Sequence, residues 1–329
     1  MGEITHRERL ETCLSGGKPD RIPVALWRHF PVDDQDPERL AKAAVNFQAN
    51  FDFDLVKFTP ASSFCLKDWG SQDEWRGDSE GTRDYTHNVI QEPEDWKRLA
   101  MLDPYQGFLG DQLRSLKLLV DELGPDVPVI QTIFNPLSQA KNLIGKGRLI
   151  NHIRQYPNAV LDGLKTITET TLKFVEAASE SGIAGLFFAI QHAQYGLLTR
   201  KEYRTFGMDF DLQVLQPAAD LWLNVMHLHG EDVMFDLLLD YPVQVINWHD
   251  RETPPNLKDA SERFPGVLCG GLRRIETMVL GTPEKVIEEA SDAISQTNGL
   301  RFILGTGCVT PITAPYGNIL AARKSVELI

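Results

Sequence analysis

Eight short runs rich in β-branched and apolar residues, separated from one another by long amphipathic stretches, constrain the fold of this 329-residue chain more than any other feature. The runs are Ile22–Trp27, Asp54–Thr59, Val127–Phe134, Ile183–Ile190, Leu221–His227, Val243–Trp248, Gly266–Gly270 and Arg301–Leu304. The stretches between them include Pro37–Asn50, Gly107–Leu123, Ala159–Ser181, Thr199–Ala219 and Pro283–Thr297, with a last helix expected from Tyr316 to Glu327. Several open on Pro, Thr or Asp, which satisfy or forgo the free N–H groups of a first helical turn. Strands alternating with crossover helices pair in parallel, so eight repeats predict an α/β chain folded as a (β/α)8 TIM barrel. The competing architecture, a doubly wound open sheet, lacks support: no Gly-rich dinucleotide fingerprint follows the first run, and there is no phosphate-loop motif.

Two segments extend the simple repeat. Thr5 and Glu8 fit a capping box that opens a short N-terminal helix ending near Gly16-Gly17. Residues 61–126, between the second and third strands, carry Trp69, Trp75, Trp96 and several acids, and read as an insertion that caps one end of the barrel. Residues 1–329 are expected to form one domain. The formal net charge of -13 repels nucleic acid and anionic membranes, and no Lys/Arg-rich run overrides it. The first residues are charged, and no apolar stretch approaches the roughly 18 residues of a spanning helix. Four scattered cysteines are too few to staple a chain of this size, which points to a reducing compartment, the cytoplasm.

In a barrel of this kind the residues just after each strand face the active-site mouth. Those endings read Arg28-His29, Pro60, Asn135, Gln191-His192, His227-Leu228-His229-Gly230, Asn247-Trp248-His249-Asp250, Cys269-Gly270 and Thr306-Gly307-Cys308. Five of the eight histidines fall there. Residues two apart at a strand end point to the same side, so His227 and His229 can approach one ion, and Cys308 can add a thiolate. Imidazole and thiolate together suit zinc, with one coordination position left open. The alternative is a hydrogen-bonded histidine pair with Cys308 as an apolar filler. Cys269 and His249 are possible substitute ligands or supports of the site, although Cys269, within an apolar run, reads as core. Arg28 is a candidate clamp for a substrate carboxylate or phosphate, or else a rim ion pair. Asn135, Gln191, Asn247 and Arg273 are candidate substrate contacts, with only one of the adjacent Arg273 and Arg274 able to point inwards. His192 and His249 are candidate catalytic groups, with Asp250 either orienting His249 or capping a helix.

The segments RERLETCLSGGKPDRIPVALWR, FDFDLVKFTP, GIAGLFFAIQHAQYGLLTRKEYRTF, VMHLHG, CGGL followed by GTPEKV, and ILGTGCVTPITAPYGNI resemble the uroporphyrinogen decarboxylase superfamily over nearly the whole chain. That superfamily joins haem-pathway decarboxylases to methyltransferases that pass methyl groups between corrinoid proteins and thiols such as coenzyme M. The resemblance implies Arg28 as the arginine after strand one. It also marks departures from the decarboxylases: Val32 replaces a second arginine, Pro60 an aspartate, Arg273 an acid and Thr306 a histidine, and no tyrosine stands in the segment after strand three. The methyltransferase branch implies a zinc pattern of His-x-Cys after strand five and Cys after strand eight. Here the pattern reads His227-Leu228-His229 and Cys308.

Three functions follow as expectations. The first is a zinc-dependent methyltransferase using a corrinoid-bound methyl group and a thiol, with a corrinoid protein as partner. The second is a decarboxylase of uroporphyrinogen or another carboxylate, with Arg28 and Arg273 as clamps. The third is a non-catalytic corrinoid or tetrapyrrole binder. A small-molecule substrate and a homodimer complete the expectation.

Overall fold

A computed structural model describes residues 4–145 and 147–327. All eight expected runs are strands of one parallel sheet: β1 (Val24–Ala25), β2 (Val56–Phe58), β5 (Val129–Phe134), β6 (Gly185–Ile190), β7 (Val225–Leu228), β8 (Val245–Trp248), β9 (Val267–Leu272) and β10 (Phe302–Thr306). The order β1-β10-β9-β8-β7-β6-β5-β2 wraps them into a nearly closed TIM barrel with helices between the strands. Every residue of these strands is buried, as expected of a parallel sheet covered on both faces. The strand from Leu221 starts only at Val225. Asn224 interrupts it, accepting from the Leu186 N–H at 3.0 Å and donating to Ala218 O at 2.8 Å.

The two end strands meet at one acid. The Asp54 N–H donates to Val24 O at 2.8 Å, and the Val24 N–H donates back to Asp54 Oδ2 at 2.7 Å. The same fully buried carboxylate accepts from Arg9 Nη1 at 2.7 Å and Arg21 Nη1 at 2.6 Å, and lies 3.0 Å from His6 Nδ1. His6 and Arg9 come from the N-terminal helix His6–Leu14, opened by the expected Thr5–Glu8 capping box. That helix therefore closes the N-terminal end of the barrel.

Within residues 61–126 lies an antiparallel hairpin, β3 (Gln72–Glu74) and β4 (Asp84–His87), which the sequence pattern did not reveal. The last part of that segment, the helix Gly107–Leu123, packs on the helix Pro37–Phe51 and leads into β5 as a crossover. The turn of the hairpin reaches the opposite end of the barrel. Ser79 O accepts from the Ile312 N–H at 2.9 Å, Glu80 pairs with Arg274 at 2.7 Å, and Arg83 donates to Pro31 O at 3.1 Å. Gly81, at φ +80°, sits so close that a Cβ would lie 2.7 Å from His29 Cβ.

Candidate metal centre at the barrel mouth

Strand register sets the site. In the ladder, His227 on β7 stands beside Asn247 on β8, which stands beside Cys269 on β9. His229 lies two residues beyond His227, and the two rings are 5.7 Å apart. From β8 the chain turns at His249, whose ring is 5.1 Å from that of His229. From β10 it arrives through Gly307, where a Cβ would lie 2.7 Å from His249 Cα. Glycine there lets Cys308 close the ring of side chains. The result is that one ligand atom from each of His227, His229, His249 and Cys308 lies within 4.8 Å of all the others.

Two of the three imidazoles are held by a group behind them. Asn247 Oδ1 is 2.7 Å from His227 Nδ1, and the Asn247 amide is itself fixed by donating to Cys269 O at 2.9 Å and Thr306 O at 3.0 Å. Glu252 Oε2 is 3.0 Å from His249 Nδ1, returned there by a turn in which the Glu252 N–H donates to His249 O. These bonds leave the Nε2 atoms of His227 and His249 buried and without a protein partner among the described residues. Cys308 Sγ is 3.6 Å from His229 Nδ1. Burial alone would raise the Cys308 thiol, but the three imidazoles around it, His227 foremost, outweigh it and hold the thiol well below its ordinary value. Burial works against a charge on His249 too, yet Cys308 and Glu252 push it up to about 9. Burial pushes His227 down. A thiolate among imidazoles with buried, unpaired nitrogens is a donor set that fits a zinc ion.

The remaining expected residues divide. His192 stands at the rim, buried, its Nδ1 unpartnered and its pKa lowered to about 3 by burial, Lys141 and His229. Gln191 keeps a buried, unpartnered Oε1. Arg28 turns away from the cluster and lays its guanidinium over Phe30 and Phe47, at 5.4 and 5.5 Å. Its neighbour Trp27 faces inwards instead, edge-on to Phe187 at 5.2 Å. Asn135 is committed to the fold: it caps the helix Pro136–Ile144 and donates to Asp211 at 2.8 Å. Asn247 orients His227 rather than meeting the mouth directly. Arg273 pairs with Glu289 on the helix Pro283–Gln296, and Arg274 is the one that turns over the mouth to Glu80. Asp250 neither orients His249 nor caps a helix; its Oδ1 accepts from the Gly271 N–H at 3.1 Å.

Sequence reasoning did not single out Glu252, Trp27, Phe187 or Lys57. The Phe187 ring stacks on His227 at 5.3 Å and carries Lys57 Nζ 4.5 Å from its centroid. Strand parity held the signal for Trp27, which shares a face with Ala25 and not with Arg28.

The profile described as uroporphyrinogen decarboxylase (URO-D) matches residues 5–328. The chain belongs to this family. It is an enzyme of the wider superfamily, similar to the methylcobamide:CoM methyltransferase MtbA of Methanosarcina acetivorans, with 22% identity over 99% of this chain and 98% of the relative. It is also similar to MtaA of Methanosarcina barkeri, a methylcobamide:CoM methyltransferase, with 22% identity over 98% and 97%. A solved methyltransferase from Methanosarcina mazei shares the fold with a TM-score of 0.86, covering 99% of both chains at 18% identity. A B12-independent methionine synthase from Shewanella sp. W3-18-1 superposes more loosely, with a TM-score of 0.52 at 12% identity, covering 94% of this chain and 93% of that one. Among the described residues, no helix is long and apolar enough to cross a membrane.

Proposed function

We propose that this chain is a zinc-dependent methyltransferase that moves a methyl group from a methylated corrinoid, presented by a corrinoid protein, to a thiol. The observation that carries the reading is the convergence of His227, His229, His249 and Cys308, with ligand atoms within 4.8 Å of one another. The full-length likeness to MtbA and MtaA supports it. His227, His229 and Cys308 would hold the ion, with His249 as a fourth donor that would yield its position to the thiol. Zinc bound there supplies Lewis acidity that lowers the pKa of a thiol and presents it as a thiolate.

The protein groups do the rest of the work. Asn247 and Glu252 fix which ring nitrogen of His227 and His249 faces the centre. Phe187 stacks on His227, and the hairpin turn packs against His29. A set of neutral imidazoles and one thiolate leaves a divalent ion with net positive charge, which favours an anionic acceptor. The decarboxylase alternative calls for a carboxylate free to hold developing positive charge. Glu252 and Glu80 are engaged by His249 and Arg274, and Asp250 accepts from the Gly271 N–H through Oδ1.

Elemental analysis of protein purified without chelators tests the metal. About one zinc per chain is expected, with near-complete loss in Cys308→Ala, and methylcobalamin with a thiol should yield the thioether only in the zinc-loaded protein. Near-zero zinc in the unaltered protein, unchanged in His229→Ala, would rule the reading out.

A further inference from the structure

Lys57 is a side chain of the barrel interior whose presence neither the fold nor the metal centre explains. It lies in mid-strand on β2, beside Ile130 of β5, and only 7% of it is exposed. Its Nζ donates to Thr59 Oγ1 at 3.3 Å and sits 4.5 Å from the centroid of Phe187. Among the described residues no carboxylate forms an ion pair with it, and burial pushes its pKa down to about 7, partly offset by Cys308. A lysine withdrawn from water without a counter-ion costs stability, and ordinary core packing would favour an apolar residue there.

Its surroundings show where the missing anion belongs. The Phe187 ring beside Lys57 also stacks on His227, so the ammonium and the metal centre share one wall. Trp27 meets the same ring edge-on, and its buried Nε1–H has no acceptor among the described residues. The nearby His29 is held neutral, at about 4, by burial and by the charge of Lys57, so it brings no competing charge. A cation, a hydroxyl and an indole N–H therefore line the barrel on the β1–β2 side, with the His/Cys centre supplied by β7, β8 and β10.

We propose that Lys57, assisted by Trp27 Nε1–H, anchors an oxyanion, a carboxylate or sulfonate, carried by the small methyl acceptor. The inference rests on the methyl-transfer reading for the identity of that acceptor. The Thr59 hydroxyl holds the ammonium in place. Lys57 then sets specificity by distance: an acceptor is selected when its nucleophilic sulfur reaches the metal while its charged end reaches Lys57.

Calorimetry on the metal-loaded enzyme with thiol-free probes tests this. Ethanesulfonate and propionate represent the two oxyanions, and ethyl methyl sulfone and propionamide are their uncharged counterparts. At least one oxyanion should bind about tenfold or more tightly than its neutral counterpart, a difference of about 1.4 kcal/mol. Lys57→Met, which keeps length in an apolar setting, should erase that preference. Equal binding of charged and neutral probes to the unaltered enzyme overturns the proposal without recourse to any variant, as does an undiminished preference in Lys57→Met. Binding of 2-mercaptoethanol, an uncharged thiol, separates the two readings. If it binds while the oxyanion preference is absent, the Lys57 anchor fails alone; if neither it nor the charged thiol 3-mercaptopropionate binds more tightly than its thiol-free counterpart while a Lys57-dependent preference persists, the thiol reading fails and the anchor stands.

Discussion

The two ends of this barrel handle buried polar groups in opposite ways. At the N-terminal end the Asp54 carboxylate is surrounded by Arg9, Arg21, His6 and the Val24 N–H. At the C-terminal end Trp27 Nε1, His29 Nδ1, His192 Nδ1, His227 Nε2 and His249 Nε2 are all buried without a protein partner. A buried polar group left unpaired costs free energy, so such a concentration marks a place for a ligand. The contrast matches the division of a TIM barrel into a stabilising end and a working end. It also locates each kind of mutational damage: stability at the seam, ligand affinity at the mouth.

Breaking the seam should have the largest effect. Asp54→Asn keeps the shape but leaves Arg9 and Arg21 facing a neutral group between β1 and β2. A loss of about 3–5 kcal/mol is expected from removing one partner of a buried charge network, measured by urea denaturation. The acid limb sharpens the test. Burial alone would raise the Asp54 carboxyl, but His6 and Arg21 hold it at about 2, below the ordinary 3.8. Its contribution is present above the unfolded value and is lost as pH falls through about 2, so the gap between the two proteins should narrow in that window. An equal loss on mutating His249 would erase the contrast between the ends.

A smaller effect is expected behind the metal ligands. Glu252→Gln and Asn247→Ala each loosen one imidazole without removing a ligand. Each should weaken zinc binding about 10–100-fold, read by competition with a chromophoric chelator, with little change in melting temperature of the metal-free protein. Unchanged affinity in both variants would mean that His227 and His249 do not depend on these partners for their orientation.

How far this was legible in the sequence differs between the ends. The eight strands were visible because buried parallel strands are continuous apolar runs, and the His227/His229 pair because period two is a rule of geometry. At the strand-one ending the same period turns Trp27 inwards and Arg28 out towards Phe47. Asn135 and Asn247 read as substrate contacts because a polar residue at a strand end has the same signature whether it meets a ligand or braces a neighbour. Asp54 opened a strand in the sequence, and nothing local showed that Arg9 and Arg21 would converge on it. Glu252 was hidden because its position depends on a tight turn after β8. Lys57 was hidden for another reason: attention to residues after each strand misses a long side chain that starts in mid-strand and climbs the interior.

That last residue gives the finest test of the comparison, because it is a charge of the working end that weakens the fold. Its pKa is lowered from 10.5 to about 7, chiefly by burial. Between these values the unfolded chain holds a proton that the native protein lacks, so the Lys57 contribution to stability rises with pH across the window and is lost as pH falls towards 7. A single proton changes stability by at most about 1.4 kcal/mol for each pH unit. Lys57→Met should therefore be more stable than the unaltered protein near pH 7, with the advantage shrinking as pH rises towards 10, as followed by denaturation midpoints at several pH values. An advantage independent of pH would show that the gain came from packing. A saturating oxyanion should narrow the same gap at pH 7, because it restores to Lys57 the partner that the seam already gives to Arg9 and Arg21.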